Sequence, residues 1–350
     1  MLLRSRLGFI KAIQIGLALL LVAAAYFVPV VAASSEVNVY SGRKEALIAP
    51  VLEAFTEETG IRVNLLTGKA DQLRARLLSE GRNTPADVLL TSDVANLHRA
   101  STSGVFQAID SRLLMQRIPS RYRDPNGKWF GLSIRARVIA YAKDRVKRND
   151  LSTYEDLADP RWRGRIVVRS STNVYNQSLI ASILVAHGDI AAGKWVKGLV
   201  ENMARRPQGG DTDQIRAVAS GEADVAIVNS YYYGRLLASG KDRDREVVAS
   251  VGVLFPNQGD RGTHVNISGA GVTAHARHRS EAIKLLEFFS SPKGQRLFAD
   301  INHEFPVNEE IAPSPIVAGW GSFKADALEL ATLGVYNGDA IRLADEFGWR

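Results

Sequence analysis

"VNVYSGRKEALIAPVLEAFTEETGIRVNLL", residues 37–66, decides the fold of this chain. It opens with a short β-branched run that ends on Ser41-Gly42. Residues 45–60 then place apolar side chains at helical spacing and stop on Gly60, with Pro50 expected to disturb the helix. Residues 61–66 read as the next strand. Working outward, "DQLRARLLSEG" (71–81) is a helix closed again by glycine. "ADVLLT" (86–91) is a third strand and "DVANLHRAS" (93–101) a third helix. Strands and helices alternating at this spacing predict a parallel sheet with crossover helices.

The alternation breaks at "NGKWFGLS" (126–133), a turn followed by a strand. "RARVIAYAK" (135–143) is a long run able to pass between two lobes. A second α/β unit follows, with strand 164–169, helices 176–187, 190–205 and 212–221, and strand 223–229. A helix over 231–238, strands at 248–256 and 266–274, an amphipathic helix at 280–291 and a helical tail complete the chain. More than one connection between two α/β units predicts a hinged clamshell whose lobes are mixed, mainly parallel sheets flanked by helices. The expected division is 34–136 with 248–305 for the first lobe, and 137–247 with 306–350 for the second.

Residues 1–33 stand apart from that fold. Arg4, Arg6 and Lys11 precede an almost wholly apolar stretch, Ile13 to Val31, and "VVAAS" (30–34) supplies small residues at the cleavage position. This is the three-part pattern of a secretory signal peptide, with a retained membrane anchor as the alternative. The chain has no cysteine, which excludes a disulfide framework, a lipid on an N-terminal cysteine and thiol catalysis. A freely soluble periplasmic monomer is expected. The formal net charge of +7 includes the leader's basic residues, and the rest are dispersed among acids, which argues against nucleic acid as a partner.

In open α/β sheets ligands lie beyond the carboxyl ends of the strands. Three strand ends here carry unusual residues: the loop after 37–40, "RSSTN" (169–173), and "NSYYYGRLL" (229–237). Tyr231, Tyr232 and Tyr233 stand together in a chain with ten tyrosines. A phenol titrates near pH 10, and a highly charged hard cation favours its ionised form strongly. The start of a helix adds a smaller push in the same direction. Adjacent helical residues point about 100° apart, so three in a row cannot share one target, and Tyr233 is expected to pack elsewhere. The bland alternative is a row of amphipathic side chains with wet hydroxyls.

The motifs "GKADQLRARL" (68–77), "PADVLLT" (85–91), "WFGLSIRARVIAYAK" (129–143), "LSTYEDLADPRWRGRIVVRSS" (151–171), "YNQSLIAS" (175–182), "GDTDQIRAVASGEADVAIVN" (210–229) and "GDRGTHVNISGAGV" (259–272) occur in order. Together they make the chain resemble the periplasmic ferric-ion-binding proteins of ABC iron importers, the bacterial transferrins, and most closely their tyrosine-rich branch. The resemblance runs from about Val37 to Trp349. It implies a two-lobe periplasmic binding protein, type II, that carries Fe3+ to an inner-membrane ABC permease and its ATPase. It places iron ligands on Tyr231 and Tyr232, and a third on Tyr141 at the end of the hinge strand. The family's remaining ligands come from the loop after the first strand, usually a histidine followed by a tyrosine. Here those positions are Lys44 and Glu45, a departure. A protonated lysine has no lone pair and repels a cation. Glu45 is either a hard oxygen ligand or an ordinary acid in a first helical turn. Other members use a glutamate after "PADV"; the matching place is Ser92, and Asp93 beside it reads as a helix N-cap.

Iron's remaining positions are expected to take a small anion such as carbonate or citrate. Ser171, Thr172 and Asn173 at a strand-to-helix turn are candidates to hold it, unless they only cap the helix. Arg135 and Arg137 are candidates for a forked contact to the same anion, with structural ion pairs as the alternative. Lys44 is a further candidate. A same-fold carrier of phosphonate, sulfate or polyamine is the competing function, since fold alone does not fix a ligand. The chain shows no G-x-S-x-G and no H-E-x-x-H, so an enzyme is not expected.

Overall fold

The centre of the molecule, a computed structural model describing residues 35–350, is one unbroken thirteen-residue strand buried along its whole length. The expected leader, 1–33, lies outside the described residues. In chain order the elements are β1 (Glu36–Ser41), α1 (Glu45–Thr59), β2 (Arg62–Thr67), α2 (Ala70–Glu80), β3 (Val88–Ser92) and α3 (Val94–Thr102). The central strand, β4 (Phe130–Ala142), comes next, then β5 (Ile166–Val167), α4 (Val174–His187), α5 (Asp189–Glu201), α6 (Asp211–Ala219) and β6 (Val225–Asn229). After these come α7 (Ser230–Ala238), α8 (Asp242–Ser250), β7 (Val251–Leu254), β8 (Val265–Val272), α9 (Arg279–Phe289) and α10 (Pro292–Asn302). β9 (Phe305–Pro306), α11 (Leu330–Val335) and α12 (Asn337–Glu346) follow.

The opening stretch folds as its pattern dictates. α1 buries Ile48, Val51, Leu52, Ala54 and Phe55 on one stripe and ends at Gly60, which takes the left-handed conformation at φ 71°. Pro50 sits early in the helix without ending it. The strand order is β2-β1-β3-β8-β4-β6-β5, with β7 and β9 also paired to β4. β1, β2 and β3 are mutually parallel, as are β5 and β6. Every pairing that involves β4 or β8 is antiparallel, so the sheet is mixed and its parallel character is confined to its two ends.

Several elements differ from the sequence reading; the expected strand 164–169 is only Ile166–Val167, and the expected helix 190–205 ends at Glu201. Residues 126–143 do not break into a turn-strand and a separate run; β4 is continuous from Phe130. The expected strand 248–256 begins only at Val251, because 248–250 finish α8, whose Val247 and Val248 pack against the core from a helix. β-branched residues at a helix end cannot be told from a strand start by periodicity alone.

β4 joins two halves of the sheet. Its residues 130–136 pair with β8, while 137–141 pair with β6 and 139–142 with β7. Residues 36–350 form a single compact unit on this frame. Among the described residues no helix is long and apolar enough to cross a membrane.

Candidate metal centre

Tyr231 and Tyr232 occupy the first turn of α7, directly after β6 ends at Asn229. Their rings lie 4.3 Å apart at a 33° tilt. Both line a cavity of about 180 Å³. Tyr175, in the first turn of α4, closes on them from a second helix, its hydroxyl 3.3 Å from that of Tyr231. Tyr233 turns away, as its helical position requires, and donates to the Val251 carbonyl at 2.9 Å.

The opposite wall comes from the other half of the sheet. Gly42, Arg43 and Lys44 follow β1, Ser92 ends β3, and Glu304 precedes β9. Leu47 of α1, Arg135 of β4 and Arg235 of α7 complete the lining. Most of these lie at strand ends, where backbone and side-chain polar groups converge, while Arg135 sits inside β4 and Arg235 in the last turn of α7.

The charged groups are sorted by partner. Buried Arg43 donates to Glu304, which also accepts from the Ser133 hydroxyl. Burial pushes the Glu304 carboxyl up, but Arg43, Arg135 and Ser133 outweigh it and hold it below the usual carboxylate range. Arg135 pairs with Asp93 at 3.2 Å and lies 5.0 Å from the centre of the Tyr175 ring. Arg235 lies over both phenol rings, 4.8 Å from that of Tyr231 and 5.5 Å from that of Tyr232.

Tyr231 and Tyr232 are held protonated without a metal. Burial, then the neighbouring Tyr175 and Tyr232, raises Tyr231 well above its ordinary value of 10. Burial and Tyr175 raise Tyr232 in the same direction. A low-dielectric site disfavours each isolated phenolate, so only a cation placed among the oxygens can offset the cost.

The structure brings together some of the residues named from the sequence and leaves others out. Tyr231, Tyr232, Arg135 and Lys44 line one cavity. Tyr141 does not join them. β4 runs antiparallel to β6, so Tyr141 pairs with Val225 at the start of β6 while Arg137 pairs with Asn229 at its end. Four residues at about 3.4 Å each separate Tyr141 from the tyrosine-bearing end. Its ring lies instead across Gly252, where an added Cβ would fall 2.6 Å from it.

Glu45 begins α1 on another side, along a surface groove with Ala49, Glu53 and Val63. Lys44, one residue earlier, is the extended residue that precedes the helix, and it lines the phenol cavity instead. Arg137 is buried on Asp211 and on the Asn176 and Asn229 side chains, away from the cavity. Ser171 donates to the Trp349 carbonyl, and Thr172 is exposed against Ser170. Asn173 accepts from the Tyr175 amide at 3.0 Å and is the N-cap of α4. Asp93 is likewise an N-cap, of α3.

Tyr175, Arg235 and Glu304 are among the cavity residues that the sequence reading missed. The signal for Tyr175 was present: a tyrosine in the first turn of a helix after a strand, two residues beyond Asn173. Glu304 gave no such signal, since its place at the cavity depends on the return of the chain to β4.

The fold, with its cavity beyond the strand ends between two halves of one sheet, is that of a solute-binding protein. Residues 83–320 match the model of the bacterial extracellular solute-binding protein family, and the chain belongs to that family. It is 49% identical to iron uptake protein A1 of Synechocystis sp., across 90% of this chain and 88% of that one. It is 29% identical to the major ferric iron-binding protein of Neisseria meningitidis serogroup B, across 80% of this chain and 83% of that one. Among solved structures, Trichodesmium FutA (IdiA) in complex with iron and citrate matches with a TM-score of 0.87 and 47% identity, covering 90% of this chain and all of that one. The resemblance carried by the ordered motifs is met.

Proposed function

We propose that the protein captures Fe3+ between the two halves of its sheet and delivers it to an ABC permease and its ATPase in the inner membrane. The observation that carries this is the convergence of three phenols, Tyr175, Tyr231 and Tyr232, on one cavity. Phenol oxygens are hard ligands, and a trivalent ion deprotonates them by the logic that acidifies metal-bound water. Each ligand therefore loses a proton on binding, and metal affinity is tied to pH. The names of the relatives agree, being iron uptake and ferric iron-binding proteins.

The two halves act as lobes hinged where β4 passes from β8 to β6. The tyrosines belong to the second half, while Arg43, Lys44, Ser92 and Glu304 belong to the first. A ligand favours closure only by its extra contacts in the closed state, which here come from the first half. The 1–33 leader and the family membership support export to the periplasm. Carriage of phosphonate or sulfate is disfavoured because three phenols line the cavity.

The test is a visible spectrum of the apoprotein titrated with ferric citrate. Phenolate-to-iron charge transfer gives an orange-red band in wild type and a much weaker one in Tyr231→Phe and Tyr175→Phe. A colourless wild-type protein that takes up no iron rejects the reading.

A further inference from the structure

We propose that the open edge of β2, with α1 beside it, is a docking groove for a basic extended segment of a partner protein, which joins the sheet as a further strand. The groove shares no lining residue with the phenol cavity, and its use does not depend on the iron reading.

β2 stands at one end of the strand order, and among the described residues only β1 pairs with it. That pairing runs from Arg62 to Thr67 in unbroken register. Gly68, just past the strand, donates its amide to the Ser41 carbonyl at 3.1 Å. Main-chain groups alternate in direction along an extended strand, so the N–H and C=O of Val63, Leu65 and Thr67 point outward, away from β1. Natural sheet edges are blunted by lysine, proline, bulges or a covering element. β2 has no lysine, proline or bulge, and Arg62, its one charged residue, is paired with Glu36.

Beside that edge lies a groove of about 490 Å³, within the roughly 300–1,000 Å³ of ligand clefts. Ala49 and Leu52 of α1, with Val63 and Leu65 of β2, give it apolar walls. α1 is the crossover between two parallel strands, so it runs back along β2. Glu45, Ala49, Glu53 and Glu57 recur at every fourth position and so form one stripe of the helix over the groove. The three glutamates are exposed and form no ion pair or hydrogen bond among the described residues. Glu45, which takes no part in the metal cavity, belongs to this surface.

An open edge recruits main chain, and pockets for alternate side chains give that pairing its specificity. Charge decides which chain is recruited. A second copy joined edge to edge in antiparallel fashion would bring both α1 helices to the same face of the joined sheet about a two-fold axis. Their glutamate stripes would then confront each other, and like charges resist that contact. The same stripe attracts lysine or arginine on an incoming strand. Glu45 and Glu53 stand about 12 Å apart along the helix. Two basic residues on one face of a strand, flanking an apolar one, stand about 13 Å apart. A segment with basic, apolar and basic side chains at alternate positions therefore fits both the groove and its charges.

The experiment follows the fluorescence anisotropy of a labelled peptide, TKTVTKT, titrated with the metal-free protein. Saturable binding is expected, at least about tenfold weaker for Glu53→Lys/Glu57→Lys and for the acidic peptide TETVTET. A TKTVTKT peptide N-methylated at the residues that would bond the edge should also bind at least about tenfold more weakly, with no change to the protein. Hydrogen exchange across residues 61–68 should slow when the unmodified peptide is bound. Glu53→Lys/Glu57→Lys should keep the wild-type thermal midpoint and iron titration, because both side chains are exposed and unpaired. Failure of TKTVTKT to bind overturns the proposal. So does binding that is unchanged by the charge reversal or by N-methylation. A concentration-dependent dimer in sedimentation, protecting the same amides without peptide, would mean that the edge takes a second copy and overturns it as well.

Discussion

Tyr175 and Tyr141 make the sharpest contrast between individual residues. Tyr175 meets Tyr231 hydroxyl to hydroxyl, while Tyr141 lies against Gly252 at the far end of β6. Tyr175→Phe should lower iron affinity at least about a hundredfold, by analogy with losses seen even for indirect partners of a metal ligand. Tyr141→Phe should leave the visible band and the iron titration unchanged; a lost band in Tyr141→Phe would mean that the register places the wrong residue. The raised phenols set a pH dependence with a definite sign. Tyr231 and Tyr232 stay protonated in the metal-free protein at neutral pH, so iron must displace their protons. Affinity should therefore rise with pH and fall toward acid, by up to about tenfold per unit for each phenol displaced. Proton release measured in weakly buffered solution during loading checks it. For the metal-free fold the sign is opposite. Above about pH 10 the unfolded tyrosines ionise while the folded ones resist, so stability should fall there, as thermal midpoints at pH 8 and pH 10.5 will show.

Among the elements, β4 is the one that the rest is built on. Its long apolar run was legible, and so was its passage between two units. Its antiparallel register against β6 was not, because a strand's own residues do not say which neighbour they pair with or in which direction. The close approach of Tyr141 to Gly252 gives a packing test of that register. Gly252→Val should cost about 1–3 kcal/mol by overpacking, read as a lower thermal midpoint. The double variant Tyr141→Ala/Gly252→Val should recover part of that loss. Asp211 offers a second test, since one buried carboxylate accepts from Arg137, Arg169 and the Asn229 amide. Asp211→Ala strips a buried charge network and should cost about 3–5 kcal/mol, a large fraction of a domain's stability, read as a lower thermal midpoint.

At the scale of the whole molecule, contacts cross from one half of the sheet to the other through α3 and its cap. The Ser178 hydroxyl of α4 donates to Asp93 of the α3 cap at 2.6 Å. Arg99 of α3 donates to Asn337 of α12 at 2.6 Å. If the halves open as lobes, these contacts resist opening before any ligand is present. Ser178→Ala removes one hydrogen bond, worth about 1 kcal/mol, and should shift the metal-free population measurably toward the open form. The radius of gyration in solution scattering reads this directly, and iron loading should return the variant to the compact form. An unchanged scattering curve, with and without iron, would mean that the two halves do not move.

The sequence by itself determined the α/β class, the alternating elements of the first half, the pair Tyr231 and Tyr232, and the departure of Tyr233 from them. These follow from local periodicity and from the 100° helical step, which short stretches carry within themselves. It also exposed Lys44 as the residue that breaks the ferric-binding pattern. Only the tertiary structure decided that Tyr175 joins the pair, that Tyr141, Glu45 and Arg137 do not, and that Glu304 reaches the cavity. The physical reason is that ligand sets are assembled across strand pairings and chain returns separated by scores of residues, and no local pattern encodes which ends of those strands meet.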